Sequence, residues 1–315
     1  MTFDFDRELQ RLEGKLKALR SKEYIPDALL EIVARTAAIQ LEARAAAQAD
    51  QPAGSASGLS PELIAGLATP EAHAQGAPLL PRDAFTYDRV RTAATFGRLL
   101  AMMRAAGGSL GTAAEVVREA MEKGELAVED ACDAALRDDV AWFDAWALRL
   151  NDAPSLVRFL AMGSVVPSVE VLAQAVAAEH ARRTGADQPG ATPVVWQHGH
   201  CPVCGSAPLV GRLVGKEGAL HHTCSFCRHE YRAKRLQCPF CLENESKNLE
   251  YFTADGEPGF QVHVCTSCKG YIKVADFREF DRVSIPVLDD LESLALDIVA
   301  RQQGYARPTA SAWGF

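Results

Sequence analysis

The 315-residue chain has no run of 18 apolar residues, so no stretch of it reads as a membrane span. Its first residues, Met1 to Glu8, mix acidic side chains with two phenylalanines. They lack the apolar core of a secretory signal, and the expected compartment is the reducing cytoplasm. A basic excess is also missing. The 33 Lys/Arg against 41 Asp/Glu leave a formal net charge of −8. Residues 1–194 carry 20 basic and 27 acidic side chains, and residues 195–285 carry 11 and 10. That balance argues against a nucleic-acid binder. No Gly-rich loop of dinucleotide-binding type follows a strand, and no acid–base pair or Ser/His/Asp set stands at motif spacing. No catalytic residue is singled out. Outside residues 201–268 cysteine occurs only at Cys132, which reads as a small buried hydrophobe.

What the chain has instead is four Cys-x-x-Cys pairs: Cys201/Cys204, Cys224/Cys227, Cys238/Cys241 and Cys265/Cys268. Two residues between cysteines form a tight knuckle, and two knuckles make a tetrahedral thiolate site for zinc or iron. The first two pairs are 19 residues apart and the last two 23, spacings that suit a metal ribbon. The block repeats with a period of about 40 residues. Cys-Pro-x-Cys opens each half at Cys201 and Cys238, His-x-Cys-x-x-Cys closes each half from His222 and His263, and a tyrosine follows at Tyr231 and Tyr271. This predicts two copies of one unit, each too small to fold without its ion, with the knuckles pairing first with second and third with fourth. A disulfide framework is the competing reading. Since each site has four cysteines, His180, His198, His200, His221, His222, His229 and His263 read as solvent-facing or as supports to the ligands. The basic stretch Arg228–Arg235 reads as balancing the negative charge of metal-bound thiolates.

The rest of the chain is mostly helical in pattern. Helices are expected over 5–22, from Pro26 to about Ala47, from about 84 to Gly107, over two segments within 126–150, and over 154–162 and 167–183. Thr112 and Glu115 read as a capping box. Residues 49–83 are broken by proline and glycine, with one short helix near 61–67. Short strands are expected at 194–196, 209–214, 249–252, 260–264 and 271–274, and a last helix after 285. The expected architecture is multi-domain α+β. An all-α domain (1–190) precedes two small β metal-binding units (191–236 and 237–284) and a C-terminal helix and tail (285–315).

The run Cys201-Pro-Val-Cys204-Gly-Ser-Ala-Pro resembles the formate dehydrogenase accessory (FdhE) family. So do Cys224-x-x-Cys227-x-x-x-Tyr231-x-x-x-Arg235-x-x-Cys238-x-x-Cys241, Cys265-x-x-Cys268-x-x-Tyr271-x-Lys273 and Asp289-Asp-Leu-x-Ser-Leu-x-Leu-Asp297, with Gly304-Tyr305 after it. The resemblance implies a cytoplasmic, non-enzymatic accessory protein needed for active formate dehydrogenase. It would contact that enzyme's catalytic subunit through tandem rubredoxin-like units behind a helical domain. It further implies two metal ions per chain, iron ahead of zinc, held by Cys201, Cys204, Cys224, Cys227, Cys238, Cys241, Cys265 and Cys268. Self-association is left open. One departure keeps zinc in play. Rubredoxin knuckles usually carry glycine after the second cysteine, whereas Arg228, Leu242 and Lys269 follow three of these four. The alternatives are a zinc-ribbon nucleic-acid binder and a rubredoxin-type electron carrier.

Overall fold

A computed structural model describes residues 3–50 and 58–313. The chain divides into two compact units. The first comprises Met1–Ala53, Arg82–Leu172 and Ala312–Phe315, and the second Gly54–Pro81 and Ala173–Ser311.

The first unit is helical. α1 (Phe5–Leu19) starts where the Asp4 carboxylate accepts the Arg7 N–H at 3.1 Å, and it buries Leu12 and Leu19. α2 (Asp27–Ala49) buries Leu30, Val33 and Ile39. Two short helices of the second unit follow in sequence, α3 (Pro61–Gly66) and α4 (Pro70–Ala74). In each, Ser60 or Thr69 caps the N-terminus and a proline takes the first turn, where a missing N–H costs nothing. The first unit resumes with α5 (Arg89–Ala105), α6 (Gly108–Glu122), α7 (Val128–Arg137) and α8 (Val140–Ala147). The expected capping box is absent from its place. Thr112 and Glu115 lie inside α6, where Thr112 donates back to the Gly108 carbonyl at 3.1 Å and Glu115 pairs with Arg104 and Arg118. Gly107 and Gly108 both have positive φ, so they form the α5–α6 corner and the next helix begins at once.

The two helices expected at 154–162 and 167–183 are one, α9 (Leu156–Thr184), with Pro167 inside it. A proline removes the bond to the carbonyl four residues back and crowds it. Here that carbonyl belongs to Gly163, and the Gln40 side chain donates to it at 3.0 Å. Gly163 makes the approach possible, since a Cβ there would stand 3.4 Å from Gln40 Nε2 and 3.0 Å from a Leu99 methyl. The merged helix is long and apolar enough to cross a membrane by composition alone, but 67% of its most apolar stretch is buried within the protein, as in a core helix.

The second unit is built on one six-stranded sheet: β1 (Pro208–Val214), β2 (Ala219–Cys224), β3 (Glu230–Arg232), β4 (Leu249–Phe252), β5 (Phe260–Cys265) and β6 (Tyr271–Ala275), in the order β3-β2-β1-β6-β5-β4. Each half is an antiparallel meander. The halves join where β1 and β6 run parallel, at Gly211↔Val274 and Arg212↔Ala275. Strands β2 and β3 are poor in apolar alternation and escape sequence reading. The strand expected at 194–196 is reduced to a single bridge from Trp196 to Ala233. One sheet face, carrying Phe260, Val262, Val264 and Tyr271, packs against Leu296 and Ala300. The other carries Leu213, Leu220, Ile272 and Val274.

The C-terminal helix is two helices, α10 (Pro286–Glu292) and α11 (Leu294–Gln302), broken at Ser293. The break has a buried cause. Lys273 reaches from β6 to the Asp290 carbonyl at 2.6 Å and the Ser293 carbonyl at 3.4 Å, taking groups that a continuous helix would use. Of the glycines and prolines expected to break 49–83, Pro52 and Gly54 lie outside the described residues. Residues 58–83 hold no long helix, only α3, α4 and the start of a single helical turn at Arg82–Ala84.

Candidate metal centres

Each knuckle closes on itself in the same way. The N–H of its first cysteine donates to the carbonyl five residues on: Cys201 to Ser206, Cys224 to His229, Cys238 to Glu243 and Cys265 to Gly270, at 2.8 to 3.0 Å. The residue after the second cysteine turns into the left-handed region: Gly205 at φ 80°, Arg228 at 57°, Leu242 at 62° and Lys269 at 59°. The three non-glycine knuckles therefore adopt the same turn as Gly205. Each bears a cost on the order of 1 kcal/mol, the usual penalty for a Cβ there. For Leu242 and Lys269 the backbone N–H is held by the first cysteine's carbonyl, at 3.0 and 2.9 Å. The missing glycines are a local strain and not a different fold, so they do not separate iron from zinc.

The knuckles meet in sequential pairs. Cys201, Cys204, Cys224 and Cys227 form one cluster, and Cys238, Cys241, Cys265 and Cys268 the other. Sulfur–sulfur separations are 3.6 Å (Cys201–Cys227) and 3.4 Å (Cys204–Cys224) in the first, and 3.7 Å for both Cys238–Cys268 and Cys241–Cys265 in the second. All nine cysteines are free, and these separations far exceed a disulfide bond. A metal–sulfur bond of about 2.3 Å sets a tetrahedral sulfur–sulfur edge of about 3.8 Å, so both clusters fit one ion each. Zinc and iron are both accepted by four thiolates. Burial pushes the Cys201 and Cys227 thiols up, so an ion entering that cluster has to displace protons. Backbone N–H groups of Phe226 and Cys227 point at Cys224 Sγ at 3.3 and 3.4 Å, and Gly270 at Cys268 Sγ at 3.3 Å.

The clusters differ in cover. All four sulfur-bearing residues of the first are buried, whereas Cys241 and Cys268 of the second are exposed. The segment before residue 81 supplies that cover. Leu79 and Leu80 donate their N–H groups to the carbonyls of Pro202 and Val203, both at 2.9 Å, and Pro78 packs on Gly205, where a Cβ would lie 3.3 Å from the proline ring.

The histidines are not uniformly at the surface. His222 is buried with neither ring nitrogen hydrogen-bonded. Burial holds it down to about 3, and His229 and His263 to about 4, so all three are neutral. His222 lies over Gly211, where a Cβ would come within 3.2 Å of its ring. His222 and His263 occupy equivalent positions in the two halves and line one cavity of about 300 Å³ on the sheet face, with Arg235, Phe240, Cys238 and Cys265. His180, His198 and His200 gather with His73 around Trp196, at ring separations of 4.5 to 6.2 Å. Of the basic stretch, Arg228 donates to the Ser225 carbonyl and Arg235 to that of Glu217. Cys132 is fully buried, its thiol pushed up to about 12 by burial, and it joins neither cluster.

Sequence reasoning missed one group. Lys273, 1% exposed, pairs with Asp290 at 2.9 Å and Asp297 at 2.6 Å. Arg307 reaches Asp290 at 2.7 Å, and Tyr271 donates to Asp297 at 2.7 Å. Burial would raise Asp290, but Lys273 and Arg307 outweigh it and hold the carboxyl below its usual range. The signal available was Tyr271-x-Lys273 together with Asp290 and Asp297 seven residues apart, two turns of helix. The tail also has a structure. Ala306 pairs with Gly270 beside the fourth knuckle, and Arg307 and Thr309 donate to the carbonyls of Leu209 and Pro208.

Residues 236–312 match the family model described as FdhE, C-terminal domain. A protein FdhE homolog of Aquifex aeolicus is 29% identical over 163 residues, 51% of this chain and 53% of the relative. One from Pseudomonas aeruginosa is 41% identical over 116 residues, 34% of this chain and 37% of the relative. The chain thus spans about half or less of the length of these curated relatives. The crystal structure of the FdhE protein from Pseudomonas aeruginosa superposes with a TM-score of 0.62 at 23% identity, covering 99% of this chain and 97% of that one. At that identity the likeness establishes the fold.

Proposed function

From the match of residues 236–312 to the FdhE C-terminal domain, we propose that the chain is a member of the FdhE family and a non-catalytic accessory protein of formate dehydrogenase. It works in the cytoplasm, binds the catalytic subunit of that enzyme and is required for its active form. Its scaffold holds two ions per chain, iron or, on the same four thiolates, zinc. The ligands are Cys201, Cys204, Cys224 and Cys227 for one and Cys238, Cys241, Cys265 and Cys268 for the other.

The observation that carries this reading is the pair of four-cysteine clusters, one in each half of a six-stranded sheet, the second of them within residues 236–312 that match the family model. Such centres hold a small β unit in one shape, which suits a protein that binds another protein.

The experiment is complementation. In cells lacking this chain, formate oxidation is lost while the dehydrogenase polypeptide remains, and the wild-type chain restores it. The catalytic subunit co-purifies with the restored chain. Full formate oxidation without the chain overturns the proposal.

A further inference from the structure

We propose that the two centres have different jobs. The first is a permanent staple, and the second, formed by Cys238, Cys241, Cys265 and Cys268, is the exchangeable centre, open to incoming metal and to metal-binding small molecules. This rests on the two-ion reading above.

The donor sets are chemically identical, four thiolates at nearly equal spacing. Intrinsic ligand affinity therefore does not separate the centres, and access does. An ion leaves a thiolate cage when an incoming donor reaches it, or when water protonates an outer sulfur, and both steps need an open side. The first centre has none. Its cysteines are at most 2% exposed, and residues 78–80 are tied across its opening knuckle by two backbone hydrogen bonds. Tyr231, buried behind the closing knuckle, donates to the Gly199 carbonyl at 2.8 Å, which fastens the chain just before Cys201. At the second centre the corresponding strand position, Tyr271, turns its hydroxyl to Asp297. Ala306 is tied beside the closing knuckle by backbone hydrogen bonds to Lys269 and Tyr271, but among the described residues no backbone hydrogen bond from outside the repeat straps the opening knuckle.

The second centre is also reachable from two sides. Cys241 and Cys268 face solvent. Its two buried cysteines, Cys238 and Cys265, line the cavity of about 300 Å³ on the sheet face, large enough for a small bidentate chelator. His222 and His263 line the same space. The repeat thus places one copy of the site under cover and leaves the other open. The difference arises from residues 78–80, which lie outside the repeat itself.

The test uses the full chain loaded with zinc and mixed with excess 4-(2-pyridylazo)resorcinol, a chromogenic chelator. Two ions per chain leave in two phases of equal amplitude, with rates separated by about tenfold or more, the size of effect expected when only the surroundings of a metal site differ. In a Cys241→Ala/Cys268→Ala variant one ion remains and leaves only in the slow phase. If both ions leave wild type at one rate, or if the ion left in the variant leaves fast, the inference is overturned. A chain that binds no zinc or iron at all instead overturns the two-ion reading on which it rests.

Discussion

Lys273 offers the sharpest test of how the second unit is held together. Its ammonium is 1% exposed and lies between two carboxylates, 2.9 Å from Asp290 and 2.6 Å from Asp297. Arg307 shares Asp290, so two cations face two anions. Replacing Lys273 with methionine keeps most of the volume and removes one cation. Two buried carboxylates then share one cation, Arg307, at 2.7 Å from Asp290 and 3.9 Å from Asp297, and the carbonyls of Asp290 and Ser293 lose the ammonium donor. Removing one partner of a buried pair costs about 3–5 kcal/mol, on the order of 10 °C in the melting of a unit this size. Adding Asp297→Asn restores the balance as one cation, Arg307, against one anion, Asp290. The double variant is therefore expected to recover part of the loss, and its coupling is read from a double-mutant cycle in urea.

The pH dependence has a definite sign. Asp290 is held below its usual range in the folded state. Its contribution is fully present above the unfolded carboxylate value of about 3.9 and is lost as pH falls through the lower folded value. Wild type is thus expected to lose stability in acid below about pH 4, and Lys273→Met to start lower and lose less over that window. A Lys273→Met chain within about 1 kcal/mol of wild type, below the range for a broken buried pair, would refute the network as a source of stability. So would an Asp297→Asn substitution that adds its full cost on top.

Two further predictions concern the backbone. Gln40→Leu leaves the Gly163 carbonyl in α9 without its donor and is expected to destabilise the helical unit by about 1–3 kcal/mol, measured by thermal unfolding followed by circular dichroism, with metal content unchanged. Leu242→Gly is expected to change stability by less than about 1 kcal/mol, because the relieved left-handed strain offsets the freedom gained by the unfolded chain. Leu242→Val is expected to cost about 1–2 kcal/mol for a β-branched residue at positive φ, with zinc stoichiometry as the control.

The sequence alone determined the eight cysteines, their sequential pairing and most helix positions. These are local quantities: two residues between cysteines bring two sulfurs together, and periodic leucines mark a helix face whatever lies beyond it. The buried state of Cys132 was legible for the same reason, as a small residue on the apolar stripe of α7. Where local chemistry and the fold disagree, a distant side chain decides. Pro167 ought to end a helix, and Gln40, 123 positions away for the bond to Gly163, lets it continue. The apolar run after 285 ought to be one helix, and Lys273 on β6 divides it at Ser293. Glycine ought to follow every knuckle, yet Arg228, Leu242 and Lys269 hold the same turn, closed in each case by the backbone hydrogen bond from the first cysteine to the carbonyl five residues on. The joining of the two repeats through β1 and β6 and the strapping of the first knuckle by residues 78–80 were likewise beyond local reading. Both are made of backbone hydrogen bonds between remote segments, and a backbone N–H carries no sign in the sequence of the carbonyl it will meet.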